Sequence, residues 1–196
     1  MGNKYVRRAK ISEAKFRELV RLFTLDLTAT QMAELSKLNR NTVNRYVKGI
    51  RRRIAEHCNR EAPFSTQSMG MKKGQNGENF MLGIRENEGA IHTILFEDTR
   101  LETVSSLFQA IDLIINLEDE TQRWLIDQSE RQGNHSSKVN TIDGFRGYVK
   151  TRVEKFKGLH RKTWFLHLKE SEFRYNNPKS ELYQMVLKII RNDPLF

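Results

Sequence analysis

Asp143 and Lys150 are the pair of residues in this chain whose types and spacing first suggest chemistry. Seven residues correspond to about two turns of an α-helix, so the two side chains share a face if the segment from Thr141 to Phe156 is helical. One carboxylate and one ammonium would then be presented together beside aromatic packing. The alternative is a solvated face on a structural helix.

The segment that carries this pair has the pattern of a core-packed helix. At 100° per residue its apolar side chains form one stripe, which comprises Ile142, Phe145, Val149, Val153 and Phe156. Gly158 is predicted to end the helix. Two further helices are predicted after it, one from Lys162 to Tyr175 and one from Leu182 to Ile190, with Pro178 between them.

An ordered series of short motifs runs through the same region. Residues 139–146 read VNTIDGFR, Lys150 follows, residues 155–158 read KFKG, and residues 167–176 read HLKESEFRYN. The series resembles the C-terminal part of bacterial insertion-sequence transposases of the ISXO-like group. That resemblance implies an RNase H-like catalytic domain with three metal-binding acidic positions, the DDE arrangement, which holds two Mg²⁺ or Mn²⁺ ions for strand transfer.

The resemblance also assigns roles to residues of this chain. Asp127, after Trp124-Leu125-Ile126, matches the second acid; Asp143 matches the third, where the family has Glu; Lys150 matches a lysine implied to contact terminal DNA. The first acid has no counterpart, because residues 62–72 contain no Asp or Glu. Asp127 and Asp143 are therefore expected as remnants of a metal site that has lost one carboxylate.

The N-terminal sixty residues predict a helix-turn-helix. Ser12 and Thr28 can cap two helices, and a third starts at Asn39 or Arg40, with Leu38-Asn39 as the turn. The second helix has a short apolar side, which comprises Ala29, Met32, Ala33 and Leu35. No acidic residue occurs from Arg40 to Ala55. Side chains of the kind that bond base edges and phosphates are left over on helix three: Arg40, Asn41, Thr42, Asn44, Arg45, Lys48, Arg51, Arg52 and Arg53. The alternative is a three-helix bundle with a solvated basic face.

The middle of the chain predicts a small sheet and its helices. Residues 61–78 are rich in Gly and Ser and form the predicted linker. Two apolar runs around the turn at residues 86–89 predict a β-hairpin, with His92 half-buried in its second strand. A mostly apolar helix from Thr99 to Ile115 and a short strand at Arg123–Ile126 follow.

The predicted fold class is therefore α+β. A three-helix helix-turn-helix domain, residues 1–60, is followed by the linker and by a reduced RNase H-like domain with C-terminal helices, residues 79–196. The resemblance implies this order of elements.

Charge and composition indicate the partners. The net charge is +10 over 196 residues, and the basic residues concentrate in the first third and the last third of the chain. This distribution predicts a polyanion partner, double-stranded DNA, with terminal inverted repeats expected from the resemblance. No apolar run is long enough for a membrane span, the first residues lack a signal peptide, and Cys58 is the single cysteine. We expect a cytoplasmic, nucleoid-associated protein, with a homodimer as one allowed assembly.

Three functional hypotheses are consistent with these observations. The first is a transposase-derived DNA-binding protein whose catalysis is lost or crippled. The second is an active transposase that uses another acid, such as Glu78, Glu97 or Asp98. The third is a helix-turn-helix transcriptional regulator whose C-terminal domain senses a ligand or dimerises.

Overall fold

The computed structural model describes residues 3–62, 80–97, 113–116, 137–156 and 161–196. Within these residues the chain combines six helices with a small antiparallel sheet of three strands. In chain order the elements are α1 (Glu13–Thr24), α2 (Ala29–Ser36), α3 (Arg40–Glu61), β1 (Phe80–Asn87), β2 (Ala90–Glu97), β3 (Leu113–Asn116), α4 (Ser137–Glu154), α5 (Arg161–Asn176) and α6 (Leu182–Asn192). The predicted mixture of helices and sheet is thus confirmed.

The chain packs as two units. The first consists of Met1–Arg60 and Lys155–Phe196, and the second of Glu61–Glu154. Residues 155–196, which were predicted to share a domain with the hairpin, thus belong to the same unit as the first three helices.

The starts of α1 and α2 follow from their capping residues. Ser12 Oγ accepts a hydrogen bond from the Lys15 amide at 3.1 Å, which satisfies one of the free N–H groups at the start of α1. At α2 the capping is reciprocal, because the Thr28 side chain accepts from the Gln31 amide and the Gln31 side chain accepts from the Thr28 amide. The helix ends with Lys37 in the left-handed conformation, which turns the chain towards α3.

The core of the first unit joins both ends of the chain. The buried side chains of α1 to α3 pack with those of α6 in one hydrophobic cluster, whose members include Phe16, Leu19, Phe23, Met32, Val43, Tyr46, Ile50, Leu182, Val186 and Ile190. A parallel β-bridge between Val6 and Leu195 closes the cluster. Its two backbone hydrogen bonds, from Arg7 to Leu195 and from Leu195 to Tyr5, are both 2.9 Å long.

The second unit is built around the hairpin that the sequence predicts. Glu88 and Gly89 connect β1 to β2 with φ values of +50° and +80°, the two positive angles of a type I′ turn. The strand order is β2-β1-β3, and both pairings are antiparallel. Helix α4 packs against β1 and β2, and its buried apolar side chains include Ile142, Phe145 and Val149. His92 is half-buried, as predicted.

Three local predictions are wrong. Leu113 to Ile115 were assigned to a helix, but they form β3, where this branched aliphatic run pairs with the free edge of β1. Helix α4 begins at Ser137 and ends at Glu154, so Phe156 lies beyond it. Leu35 was placed on the apolar side of α2 but is 58% exposed, so that side of the helix is narrower than the spacing suggested.

Several predictions fall on residues outside the described ranges. They are the helix from Thr99 to residue 112, the strand at Arg123–Ile126, Asp127, Gly158 and all but the first two residues of the linker. In the part of the chain that the structure describes, no helix has an apolar stretch long enough to cross a membrane.

Candidate nucleic-acid interface

The turn between α2 and α3 is three residues long and fixes where α3 begins. Lys37 reverses the chain, and Leu38 packs against the hydrophobic cluster. Asn39 Oδ1 accepts a hydrogen bond from the Asn41 amide at 2.8 Å, which satisfies a free N–H at the start of α3. The packing of Leu38 and the cap from Asn39 therefore fix the position of the first helical turn of α3.

Helix α3 has two opposite faces. One face is buried and carries Val43, Tyr46, Val47, Ile50 and Ile54. The other is exposed, and we call it the α3 face: Arg40, Asn41, Asn44, Arg45, Lys48 and Arg52. Thr42 is half-buried beside it. Since Asn41, Arg45, Lys48 and Arg52 follow the spacing i, i+4, i+7, i+11, they form one stripe along the helix.

The other two arginines predicted to bind DNA make ion pairs inside the first unit. Arg51 Nε donates to Glu170 Oε2 at 2.6 Å, and the Arg51 side chain is only 14% exposed. Arg53 donates to Glu56, to Asp193 and to the Pro194 carbonyl oxygen, at 2.8, 2.8 and 2.9 Å. These contacts attach α3 to the C-terminal segments. The positive charge of the α3 face therefore comes from Arg40, Arg45, Lys48 and Arg52.

Helix α5 contributes a buried set of charges to the same unit. Glu170, with 1% of its side chain exposed, accepts hydrogen bonds from Arg51 and from Arg174 Nε, the latter at 2.8 Å. Arg174 also donates to the Phe23 carbonyl at 2.6 Å and to the Thr24 carbonyl at 3.0 Å. The last carbonyl groups of α1 and the side chain of Arg51 on α3 are therefore both tied to α5.

A second buried pair lies on the same helix. Lys169, which is fully buried, donates to Glu172 Oε2 at 2.9 Å. The Lys169 carbonyl oxygen is 3.8 Å from the Cys58 sulfur on α3, and burial raises the pKa of the Cys58 thiol well above its ordinary value. The HLKESEFRYN motif is thus a structural support for α3, a role that its polar sequence did not suggest.

The acidic residues expected at a metal site are only partly described. Asp143 lies on the exposed side of α4 and accepts a contact of 3.4 Å from Arg146, while Lys150 is half-exposed on the same helix. Asp127 lies outside the described residues. Among the residues that the structure covers, no three His, Cys, Asp or Glu side chains are grouped so that they could hold a metal ion. Of the two residues that the resemblance assigns to a Mg²⁺ or Mn²⁺ site, Asp143 lies within the described ranges and Asp127 does not.

Phe196 was not among the residues predicted at this interface. Its ring centroid is 4.4 Å from the guanidinium carbon of Arg45, an exposed residue of the α3 face. The contact joins positions 45 and 196, and no local pattern in the sequence could have indicated it.

Comparisons of the chain with protein-family models, with curated proteins and with solved structures find no match.

Proposed function

We propose that this protein binds double-stranded DNA through a helix-turn-helix formed by α2 and α3, with the α3 face as the recognition surface. The observation that carries the proposal is the exposed stripe of Asn and basic side chains that starts directly after the three-residue turn. In helix-turn-helix proteins the N-terminal residues of the second helix contact base edges in the major groove. Asn41, Asn44 and Arg45 occupy that part of α3.

The chemistry of the α3 face suits both kinds of DNA contact. The Asn amides can form paired hydrogen bonds with adenine, and an Arg guanidinium can do so with guanine. Lys48 and Arg52, one and two turns further along, are placed for phosphate contacts, which contribute affinity and salt dependence. Helix α3 has no acidic residue before Glu56, so no carboxylate of its own repels phosphate along this stripe.

We further propose that the protein derives from an insertion-sequence transposase and binds terminal inverted repeats without catalysing strand transfer. The motif series at residues 139–176 supports the origin, and the absence of any acid at residues 62–72 supports the loss of catalysis. The RNase H-like arrangement of the second domain is part of the same proposal. Such a binder can repress an active relative, because it occupies the same sites.

The DNA-binding proposal is tested by selecting duplexes from a library with a random core. Binding of the wild type to the selected duplex and to a scrambled duplex is then measured at several salt concentrations. We expect an enriched sequence, and we expect affinity to fall steeply with salt. Arg45→Ala should weaken binding to the selected duplex by roughly 10-fold or more, since a good base contact is worth about 1–3 kcal/mol.

Two further substitutions serve as comparisons. Arg52→Ala should weaken binding to both duplexes by a similar, smaller factor, because a phosphate contact carries no sequence information. Arg191→Ala removes an exposed arginine from α6, outside the α3 face, and should leave affinity nearly unchanged. Equal losses for Arg45→Ala on selected and scrambled duplexes would contradict the placement of α3 in the groove.

A separate assay addresses catalysis. Nicking and strand transfer are measured on the selected duplex with Mg²⁺ and with Mn²⁺, for the wild type and for Asp143→Ala. We expect no metal-dependent product from either protein. Cleavage by the wild type that Asp143→Ala abolishes would show an active transposase and overturn the proposed loss of catalysis.

A further inference from the structure

Phe196 lies against Arg45, an exposed side chain of the α3 face. The Arg45 guanidinium carbon is 4.4 Å from the centre of the Phe196 ring, well inside the range of a cation–π interaction. Arg45 is otherwise exposed on the first turns of α3. A free arginine side chain samples many rotamers, and holding it in one of them costs free energy when it binds a partner. The ring therefore reduces the conformational entropy that the Arg45 side chain loses on binding.

The Phe196 ring is itself held in position by neighbouring residues. It packs against Tyr46 with 5.8 Å between ring centroids. Leu195, the residue before it, is buried and joined to Tyr5 and Arg7 by the two backbone hydrogen bonds of the parallel bridge. Gly49 permits this approach, because a Cβ atom there would be only 3.3 Å from side-chain atoms of both Leu195 and Phe196. The position of the ring is therefore set by the first unit and not by its own rotamers alone.

Stacking restrains a guanidinium without using up its hydrogen bonds. An aromatic ring contacts the flat face of the group, while all of its N–H donors point outwards in the plane. A guanidinium held in this way can still donate two parallel bonds to a pair of acceptors. In the major groove, guanine offers such a pair in its N7 and O6 atoms.

We infer that Phe196 is a positioning residue for DNA recognition, which stacks on Arg45 and directs its donors to a guanine in the bound duplex. The inference rests on the proposed DNA-binding function and deepens it, because it assigns a base to Arg45 and a role to the C-terminal segment. Phe196 itself makes no contact with DNA in this arrangement. Its effect on binding should therefore depend on the presence of Arg45.

A double-mutant cycle tests this dependence. The probes are the duplex selected with the wild type, the same duplex with its guanines replaced one at a time by 7-deazaguanine, and a scrambled duplex. Phe196→Leu removes the aromatic face and keeps an apolar side chain. We expect it to weaken binding to the selected duplex by about 3- to 30-fold, the size of a cation–π contact, and to leave binding to the scrambled duplex within about 2-fold. Phe196→Tyr keeps the ring and should bind like the wild type.

The cycle is completed in the Arg45→Ala background. There Phe196→Leu should cause less than about a 2-fold further loss, because the side chain through which Phe196 acts is gone. At one guanine position, 7-deazaguanine should weaken the wild type and leave Arg45→Ala unaffected. Thermal unfolding of each variant shows whether the fold is retained.

The outcomes separate this inference from the proposed function. If the wild type selects a duplex but the losses from Arg45→Ala and Phe196→Leu multiply, Phe196 only supports the fold and the inference is overturned. The inference is also overturned if Phe196→Tyr binds as poorly as Phe196→Leu, or if no guanine position responds to Arg45. If the wild type selects no duplex and binds scrambled DNA no better than the Arg45→Ala/Arg52→Ala double variant, the proposed function fails and the inference fails with it.

Discussion

Removal of the buried carboxylate of Glu170 should lower the stability of the fold. Glu170 accepts hydrogen bonds from Arg51 at 2.6 Å and from Arg174 at 2.8 Å, with 1% of its own side chain exposed. Glu170→Gln keeps the size of the side chain and removes its charge. Arg51 and Arg174 then lose the carboxylate that they share in a largely water-excluded place, and Arg174 keeps Asp26 at 3.9 Å. A buried ion pair that loses one partner destabilises a protein by about 3–5 kcal/mol.

The partial exposure of Arg51 reduces this figure, because its charge can recover some hydration, so we expect a loss of about 3 kcal/mol. With an m-value of about 2 kcal/mol per molar urea, the midpoint of unfolding should fall by roughly 1.5 M. The assay is urea unfolding followed by far-UV circular dichroism. The m-value should stay constant, since the substitution leaves the buried area of the native state almost unchanged.

Glu18→Gln is the matched control for Glu170→Gln. Glu18 pairs with Lys15 at 2.8 Å, a distance close to those of Glu170, but the two side chains are 42% and 32% exposed. An exposed pair contributes little, so we expect a loss below about 0.5 kcal/mol. The reasoning is refuted if Glu170→Gln costs less than about 1 kcal/mol, or no more than the control, because the buried charges would then have no need of their carboxylate.

Other predictions concern a cap, a turn and a thiol. Thr28→Ala should cost about 1 kcal/mol in urea unfolding because the Gln31 amide loses its side-chain acceptor, whereas Thr30→Ala, on the exposed side of the same helix, should cost much less. Gly89→Ala should speed amide hydrogen exchange in the hairpin by about 5-fold. A Cβ atom at residue 89 would meet nothing within 4 Å, so the cost of about 1 kcal/mol comes from the φ of +80° alone. An unchanged exchange rate would show that the turn is not the one described. The Cys58 thiol should react with a thiol reagent at pH 8 at least about 100-fold more slowly in the native protein than in urea, since burial raises its pKa and blocks access; similar rates would contradict its burial.

Elements with a strong local signal were predictable from the sequence. Ser12 and Thr28 indicate the first two helices, and the spacing of Val43, Val47 and Ile50 gives the inner face of the third. The hairpin follows from two apolar runs around Glu88-Gly89. Most of the exposed side of α3 could be named in advance for the same reason, because it is the complement of an apolar stripe. Arg51 and Arg53 were predicted on that side as well, but they make ion pairs inside the first unit.

The support of that face could not be predicted in the same way. Helix α5 buries Lys169, Glu170, Glu172 and Arg174, residue types that usually lie on the surface, so its sequence carries no apolar stripe. Its partners come from α1 and α3, more than a hundred residues away in the chain. The branched aliphatic run at 113–115 was misassigned because a short apolar run fits a helix and a strand equally well, and only its neighbour β1 decides between them.

The bridge between Val6 and Leu195 has a consequence for biosynthesis. The first unit is discontinuous, so the nascent polypeptide emerges with its leading three helices long before α5 and α6 exist. At about 5–20 residues per second, the intervening stretch takes on the order of ten seconds to translate. During that interval the apolar side chains of α1 to α3 that later pack with Leu182 and Val186 are exposed to water and to chaperones. Any capacity to bind a duplex that depends on this packing therefore develops only after α5, α6 and Leu195 have been synthesised.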